Sequence, residues 1–154
     1  MEGAFAVKPF YLTAFGFVTS FVTSLFGGWS TGLRCLLICM VVDLLTGTIV
    51  AAVFKKSKKT NTGTLSSAVG AKGIAKKIMI LCLVLICHQL DQMLGTTVIR
   101  DAATIAFAAN EILSILENAG LMGIKIPAVI TKAIDVLNDK AEKIEITEEN
   151  KGGK

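Results

Sequence analysis

An acidic residue in the middle of a long apolar run is the feature that most constrains this sequence. Asp43 lies near the centre of the run Leu33 to Phe54, 22 residues that are almost free of other charge. At about 1.5 Å per residue, a helix of this length covers the roughly 30 Å hydrocarbon layer of a bilayer. An ionisable side chain at such a depth costs about 2.5–3.5 kcal/mol on insertion scales. The run therefore predicts a membrane helix whose acid needs a partner.

Composition extends this prediction to the whole chain. Of 154 residues, 53% are hydrophobic and 18% are charged, whereas soluble domains have about 45–50% and roughly 25%. The charge is concentrated in one basic stretch and in the last thirty or so residues, so little polar surface remains to cover a soluble core. We predict an all-α integral membrane protein with three to four transmembrane helices. The net charge of +4 fits a membrane protein, and we expect no nucleic-acid partner.

The apolar segments divide the chain into two predicted parts. Residues 1–126 form the membrane domain, and residues 127–154 form a cytoplasmic amphipathic helix, beginning near Pro127, with a flexible tail from 147 onwards. The first apolar segment either crosses the membrane or lies in its interface. The candidate spans are 10–27, 33–54, 78–95 and 102–122.

Seven lysines without an intervening acid lie between the spans 33–54 and 78–95. An excess of lysine marks the cytoplasmic side of a membrane protein, and such a loop attracts anionic headgroups. Two further spans bring the C-terminus back to the same side, so it is predicted to be cytoplasmic, whereas the side of the N-terminus stays open. The predicted membrane-surface residues are Lys55, Lys56, Lys58, Lys59, Lys72, Lys76 and Lys77.

Further polar residues fall inside the later spans. Asp91 lies near the far end of 78–95. In 102–122, five polar residues have the spacing i, i+1, i+4, i+7, i+8, which places them on one helical face that cannot point at lipid. They are Asn110, Glu111, Ser114, Glu117 and Asn118.

The energetic cost of placing these acids in the membrane can be lowered in several ways. Each is protonated, paired with a cation, or hydrogen-bonded across helices or subunits. The candidate partners are Arg34, Arg100, Asn110, His88 and Thr46. Because three short spans enclose little volume, we expect the acids to be covered by self-association. Gly47 and Ala51 form a small-xxx-small pair that would bring Asp43, Thr46 and Gly47 to a shared face.

The first apolar segment carries a stripe of small and hydroxyl residues, Thr13, Gly16, Ser20 and Thr23. The stripe is either a candidate pore lining or an ordinary helix-packing face.

Four cysteines, Cys35, Cys39, Cys82 and Cys87, lie inside apolar runs. They are interpreted as small apolar residues, the alternative being a zinc site with His88. No catalytic constellation is present, so we expect no enzyme activity, no cofactor and no metal.

Three blocks of sequence, in this order, resemble the phage holin family, which includes toxin-secretion holins encoded beside large clostridial toxins. The blocks are Asp43-Leu44-Leu45-Thr46-Gly47, Ser66-Ser67-x-x-Gly70-x-x-Gly73-Ile74-x-Lys76-Lys77 and Asn110-Glu111-x-x-Ser114-Ile115-x-Glu117-Asn118. Within the second block, Ser66, Ser67, Gly70 and Gly73 by themselves indicate a short helix that either packs closely against a neighbour or lies flat on the membrane. The resemblance covers roughly Leu33 to Gly123.

This resemblance implies a phage or prophage protein of the bacterial cytoplasmic membrane that assembles into homo-oligomeric pores or lesions and causes timed lysis of the host. The lesions would release an endolysin, or in some members a toxin. Two alternatives follow from the residues themselves. One is a small ion-selective channel or transporter that uses the buried acids. The other is a membrane scaffold or inhibitory antiholin that never opens.

Overall fold

The computed structural model describes residues 3–137 and 139–140 of the chain, with side chains from Tyr11 onwards. The predicted tail from 147 onwards and the end of the predicted C-terminal helix lie outside these residues. The chain forms two compact units, Met1–Ser30 and Thr31–Lys154. All regular structure in the described residues is helical, which confirms the all-α prediction.

The first unit is one helix and the turn that ends it. Helix α1 spans Gly3–Leu25. Gly27 and Gly28 have positive φ angles, a conformation that suits glycine and ends helices. The Gly28 amide donates to the Thr23 carbonyl at 3.0 Å, and this bond closes the turn.

The second unit begins with the helix that contains Asp43. Helix α2 spans Thr31–Ile49 and continues as a π-helical segment over Val50–Phe54. Together they form 24 residues that satisfy the length and composition of a membrane span, the one such helix among the described residues. Tyr11–Leu25 is apolar but shorter. The other two predicted spans remain predictions as spans.

Two long helices follow and form a hairpin. Helix α3 spans Ser67–Leu94 and helix α4 spans Val98–Leu121. The short helix predicted from Ser66, Ser67, Gly70 and Gly73 is present as the first turns of α3, with Ser66 at its N-cap position, and it continues into the predicted span. Gly95 ends α3 in the left-handed conformation. After α4, residues 128–137 form α5, which agrees with the predicted start near Pro127.

The core of the second unit lies between α2, α3 and α4, with α4 packed against both other helices and most extensively against α2. Leu36, Val84 and Ala109 are fully buried there, and Ile134 of α5 is also buried. The outward faces of α2 and α3 are apolar as well. Their exposed residues include Ile38, Val41, Leu45, Val53, Ile78, Met79, Ile86 and Met93. Monomeric soluble proteins rarely expose contiguous apolar surfaces of this kind.

Candidate functional site

Lys77 joins two buried acids at the centre of the second unit. Its Nζ donates to Oδ2 of Asp43 at 2.8 Å and also to Oε2 of Glu111. The lysine side chain is 14% exposed and each acidic side chain is 9% exposed. The three residues come from α3, α2 and α4, so this ionic cluster connects all three core helices.

Asn118 binds the other carboxylate oxygen of Asp43 from about two turns beyond Glu111 on α4. Its Nδ2 donates to Oδ1 of Asp43 at 3.2 Å and to Oγ1 of Thr46 at 3.0 Å. Ser114, on the same face of α4, is half-buried. Gly47 lies beside the contact of Asn118 with Asp43, and a Cβ at that position would lie 3.6 Å from the Asn118 amide nitrogen, an ordinary van der Waals distance. Two of the predicted intramembrane residues, Thr46 and Asn118, thus hydrogen-bond to Asp43 inside one chain, and Lys77 joins a third, Glu111, to it.

The ionic cluster corrects two expectations. The acids at Asp43 and Glu111 were expected to find partners in neighbouring copies, but both are satisfied within the protomer, so that argument for self-association is wrong. Lys77 is predicted at the membrane surface, but its side chain is partly buried and lies between the two acids. A carboxylate in a low-dielectric interior is stabilised most by a cation at hydrogen-bond distance, and Lys77 supplies that cation to both acids.

The two candidate arginines have other partners. Arg34 donates to the Thr31 hydroxyl at 3.4 Å, and Arg100 forms an ion pair with Asp101 at 2.9 Å.

A periodic signal in the sequence marks Lys77 as a core residue. Lys77 is mostly buried, and Ile80, Val84 and Asp91 are buried with it. Their spacing of three, four and seven residues places all four on one face of α3. The prediction that Lys77 belongs with the other lysines of the loop did not take this shared helical face into account.

Asp91 has a structural role at the turn between α3 and α4. Its carboxylate accepts hydrogen bonds from the amides of Ile99 and Arg100 at 3.0 and 2.9 Å, and from the Thr96 hydroxyl at 2.5 Å. Thr97, at the N-cap position of α4, makes no side-chain cap. Asp91 therefore takes the place of the missing cap, because it satisfies amides that the first turn of a helix leaves unpaired.

The polar face of α4 divides into two parts. Glu111 and Asn118 are buried and Ser114 is half-buried, whereas Asn110 and Glu117 are exposed. The single face that the spacing predicts is thus an inner row within the protomer and an outer row that the protomer does not cover.

The other six loop lysines, Lys55, Lys56, Lys58, Lys59, Lys72 and Lys76, are exposed. A cavity of about 110 Å³ lies between this basic loop and the ionic cluster. Asp43 and Lys77 line it together with Lys58 and Lys59. A water molecule requires only about 10–15 Å³ of such volume, so the cavity has room for several waters beside the cluster.

The stripe on α1 consists largely of exposed side chains, with Thr23 half-buried. The Thr23 hydroxyl donates to the Thr19 carbonyl at 2.7 Å, and the Thr19 hydroxyl donates to the Phe15 carbonyl at 2.8 Å. These hydroxyls satisfy their own helix, as is common for threonine in apolar helices. Pore lining by Thr13, Gly16, Ser20 and Thr23 remains a prediction.

Within the described residues, no three His, Cys, Asp or Glu side chains converge as a metal site would require. The four cysteines are free thiols there.

Comparison with known proteins adds a family match. The model of the bacteriophage holin family matches residues 20–139, a range that contains α2, α3, α4 and the whole ionic cluster. No solved structure matches the chain.

Three relatives show the breadth of the similarity. The chain is 38% identical to an uncharacterized protein of Listeria monocytogenes, over 88% of this chain and 89% of that protein. It is 38% identical to an uncharacterized 14.9 kDa protein of Clostridium perfringens, over 77% and 85% of the two chains. It is 33% identical to a protein of Bacillus phage phi105 named a probable holin, over 73% and 79%.

Proposed function

Because this chain belongs to the bacteriophage holin family, a family of non-enzymatic membrane proteins, we propose that it forms lesions in the bacterial cytoplasmic membrane. Through these lesions a cytoplasmic endolysin reaches the cell wall. The observation that carries the proposal is the family match over residues 20–139. The name of the Bacillus phage relative, a probable holin, supports it.

The proposed topology is multi-pass. α2 with its π-helical extension is long and apolar enough to span, and the apolar outer face of α3 supports a second crossing. A third crossing by α4 returns the chain to the starting side. The six exposed lysines then lie at the cytoplasmic surface, where anionic headgroups attract them, and the C-terminus lies on the same side.

The ionic cluster gives the proposed protomer a stable form before assembly. Three helices with buried charges cannot separate in lipid without exposing those charges, and this is costly. A protomer that keeps Asp43, Lys77 and Glu111 together can accumulate in the membrane as a folded unit. Homo-oligomers then form through outer surfaces, while the cluster stays inside each copy.

A cellular experiment tests this function. The chain is expressed from an inducible promoter in a bacterium, with and without a co-expressed cytoplasmic endolysin, and both membrane potential and culture turbidity are followed. The expected result is loss of potential in both cultures and lysis only where the endolysin is present. Loss of potential in both cultures without lysis would contradict the proposal and favour the ion-selective channel.

The channel alternative is favoured by one observation, the cavity that brings Asp43 and Lys77 together with loop lysines. Polar groups beside a hydrated cavity are typical of ion pathways. A scaffold or antiholin would change neither the potential nor the turbidity. Release of a toxin in place of an endolysin is tested by the same design with a different cytoplasmic cargo.

A further inference from the structure

The outer row of α4 has the spacing of a helix–helix seam. Asn110, Leu113, Glu117 and Gly120 are all exposed, and they follow one another at intervals of three, four and three residues. Ala103 and Ala106 continue the same spacing towards the start of the helix and are half-buried. We call these six residues the α4 seam. It is distinct from the inner row, in which Glu111 contacts Lys77 of α3 and Asn118 contacts Asp43 of α2.

Alternating intervals of three and four residues are the pattern by which parallel helices wind around each other. In such pairs a single asparagine at a seam position specifies register and number of strands, and Asn110 occupies a position of this kind. Small seam residues let backbones approach closely in lipid. A Cβ at Gly120 would meet no atom within 4 Å, so that end of the seam has open space for a neighbour.

The polar groups of the seam are complementary to a second copy of themselves. An asparagine carboxamide both donates and accepts, so two copies of Asn110 satisfy each other across a two-fold axis. Glu117 takes no part in the ion pairs of the described residues. It lines a groove of about 470 Å³ that Lys58 also lines, so each copy offers an acid and a base beside the same seam.

We infer that the α4 seam is the contact surface between two parallel copies of this chain, with Asn110 paired to Asn110 and Glu117 paired to Lys58 of the other copy. The inference rests on the proposed function in one respect, namely that both copies cross one membrane in the same direction. In this inference the copies associate through the α4 seam and not through Asp43 and Glu111, which are paired with Lys77 inside each protomer. The inference also gives a reason why Asn110 faces outward from the middle of α4 and Glu117 from its last turns.

Disulfide cross-linking in membranes tests the seam. In a background without the four native cysteines, Leu113→Cys and Asn110→Cys place thiols on the seam. Ile86→Cys is the matched control, because it is exposed on α3 away from the seam. Under mild oxidation, the two seam variants are expected to form dimers several-fold more than the control. Equal dimer yields in membranes that contain equal amounts of the three variants would overturn the inference.

A charge exchange tests the predicted contact with Lys58. Glu117→Lys is expected to reduce cross-linking at position 113 several-fold, and adding Lys58→Glu is expected to restore it. Failure of the second change to restore a reduced yield, or no effect of the first, would overturn the Glu117–Lys58 pairing.

Endolysin release, measured in parallel on the Leu113→Cys variant under reducing conditions, separates this inference from the proposed function. Lysis without seam dimers would refute the seam and leave the holin function standing. Seam dimers without lysis would refute the holin function and support the seam.

Discussion

Lys76 and Lys77 are neighbours in sequence with different surroundings. Lys77 is held by two buried acids, and Lys76 is exposed. Removing one member of a buried ion pair leaves an uncompensated charge and costs about 3–5 kcal/mol, whereas surface changes stay within about 0.5 kcal/mol. We expect Lys77→Met to lower the thermal midpoint of the detergent-solubilised protein strongly and Lys76→Met to leave it almost unchanged. Equal effects would contradict the ionic cluster.

Removing all three charges together provides a further control at this scale. The combination Asp43→Asn, Lys77→Met and Glu111→Gln leaves no unpaired charge and keeps a side chain at position 43 that can accept from Asn118. Replacing a whole buried charge set is often close to neutral. The triple variant is therefore expected to be more stable than Lys77→Met alone, as measured by the same thermal midpoint.

Asp91 gives a second prediction from single residues. Loss of an N-terminal cap costs about 0.5–2 kcal/mol, so Asp91→Ala should destabilise the first turn of α4. Asp101→Ala is the control, because Asp101 lies in the same turn but its side chain is half exposed and pairs with Arg100. Amide hydrogen exchange at Ile99 and Arg100 should speed up in the first variant. The account of the cap fails if it speeds up equally in both.

The polar face of α4 could be predicted from the helical spacing of its residues. The ion pair between Asp43 and Lys77 could not, because the two residues lie on different helices. The spacing of Glu111, Ser114 and Asn118 predicted a shared polar face, and within it Asn118 bonds to Asp43 while Glu111 is joined to Asp43 through Lys77. Lys77 was not predicted as the partner of Asp43, because it was grouped with the neighbouring lysines of the chain. Whether a helical side chain is buried depends on the face of the helix on which it lies. For the same reason Glu117 is exposed although its neighbour Asn118 is buried, since adjacent residues lie about 100° apart on a helix.

At the scale of elements, the loop between α2 and α3 depends on one glycine. Gly63 has a positive φ, and a Cβ there would lie 2.2 Å from the carbonyl oxygen of Lys55. The Gly63 carbonyl also accepts the Ser57 amide at 3.0 Å. Both the backbone conformation and the close approach exclude a side chain.

We therefore expect Gly63→Ala to open the basic loop, at a cost of at least about 1 kcal/mol. Gly70→Ala is the matched control, since a Cβ there meets nothing within 4 Å and alanine favours a helix by roughly 0.5–1 kcal/mol. Limited proteolysis between Lys55 and Ser66 reads the loop directly. Faster cleavage in the Gly63 variant alone is predicted, and equal cleavage of both variants would contradict it.

The helices themselves were predictable from apolar runs, but their ends were not. The segments 33–54 and 102–122 agree closely with α2 and its extension and with α4. The segment 78–95 missed the first eleven residues of α3, from Ser67 to Lys77, because glycines and lysines there are typical of loops. The helix continues through them because Lys77 is anchored in the core, and tertiary contacts override weak propensity.

At the scale of the whole molecule, the apolar residues that argue against a soluble fold form much of the exposed surface of α2 and α3. Apolar side chains cover much of the outward faces of α2 and α3, while six lysines are exposed on the basic loop and the start of α3 and three charged side chains meet in the ionic cluster. Composition predicted this distribution. It did not predict that Asp43 and Glu111 find their cation, Lys77, within one protomer. That pairing depends on how each helix is rotated about its own axis, and hydropathy contains no information on that rotation.

Release from sealed vesicles tests the central proposal most directly. Purified protein is added to vesicles of anionic lipid that contain both a small fluorescent dye and a folded, active endolysin, and the two are measured outside over time. The holin account predicts that the dye and the enzyme both escape once the protein exceeds a threshold density in the membrane. Escape of the dye with full retention of the enzyme at every density would contradict it.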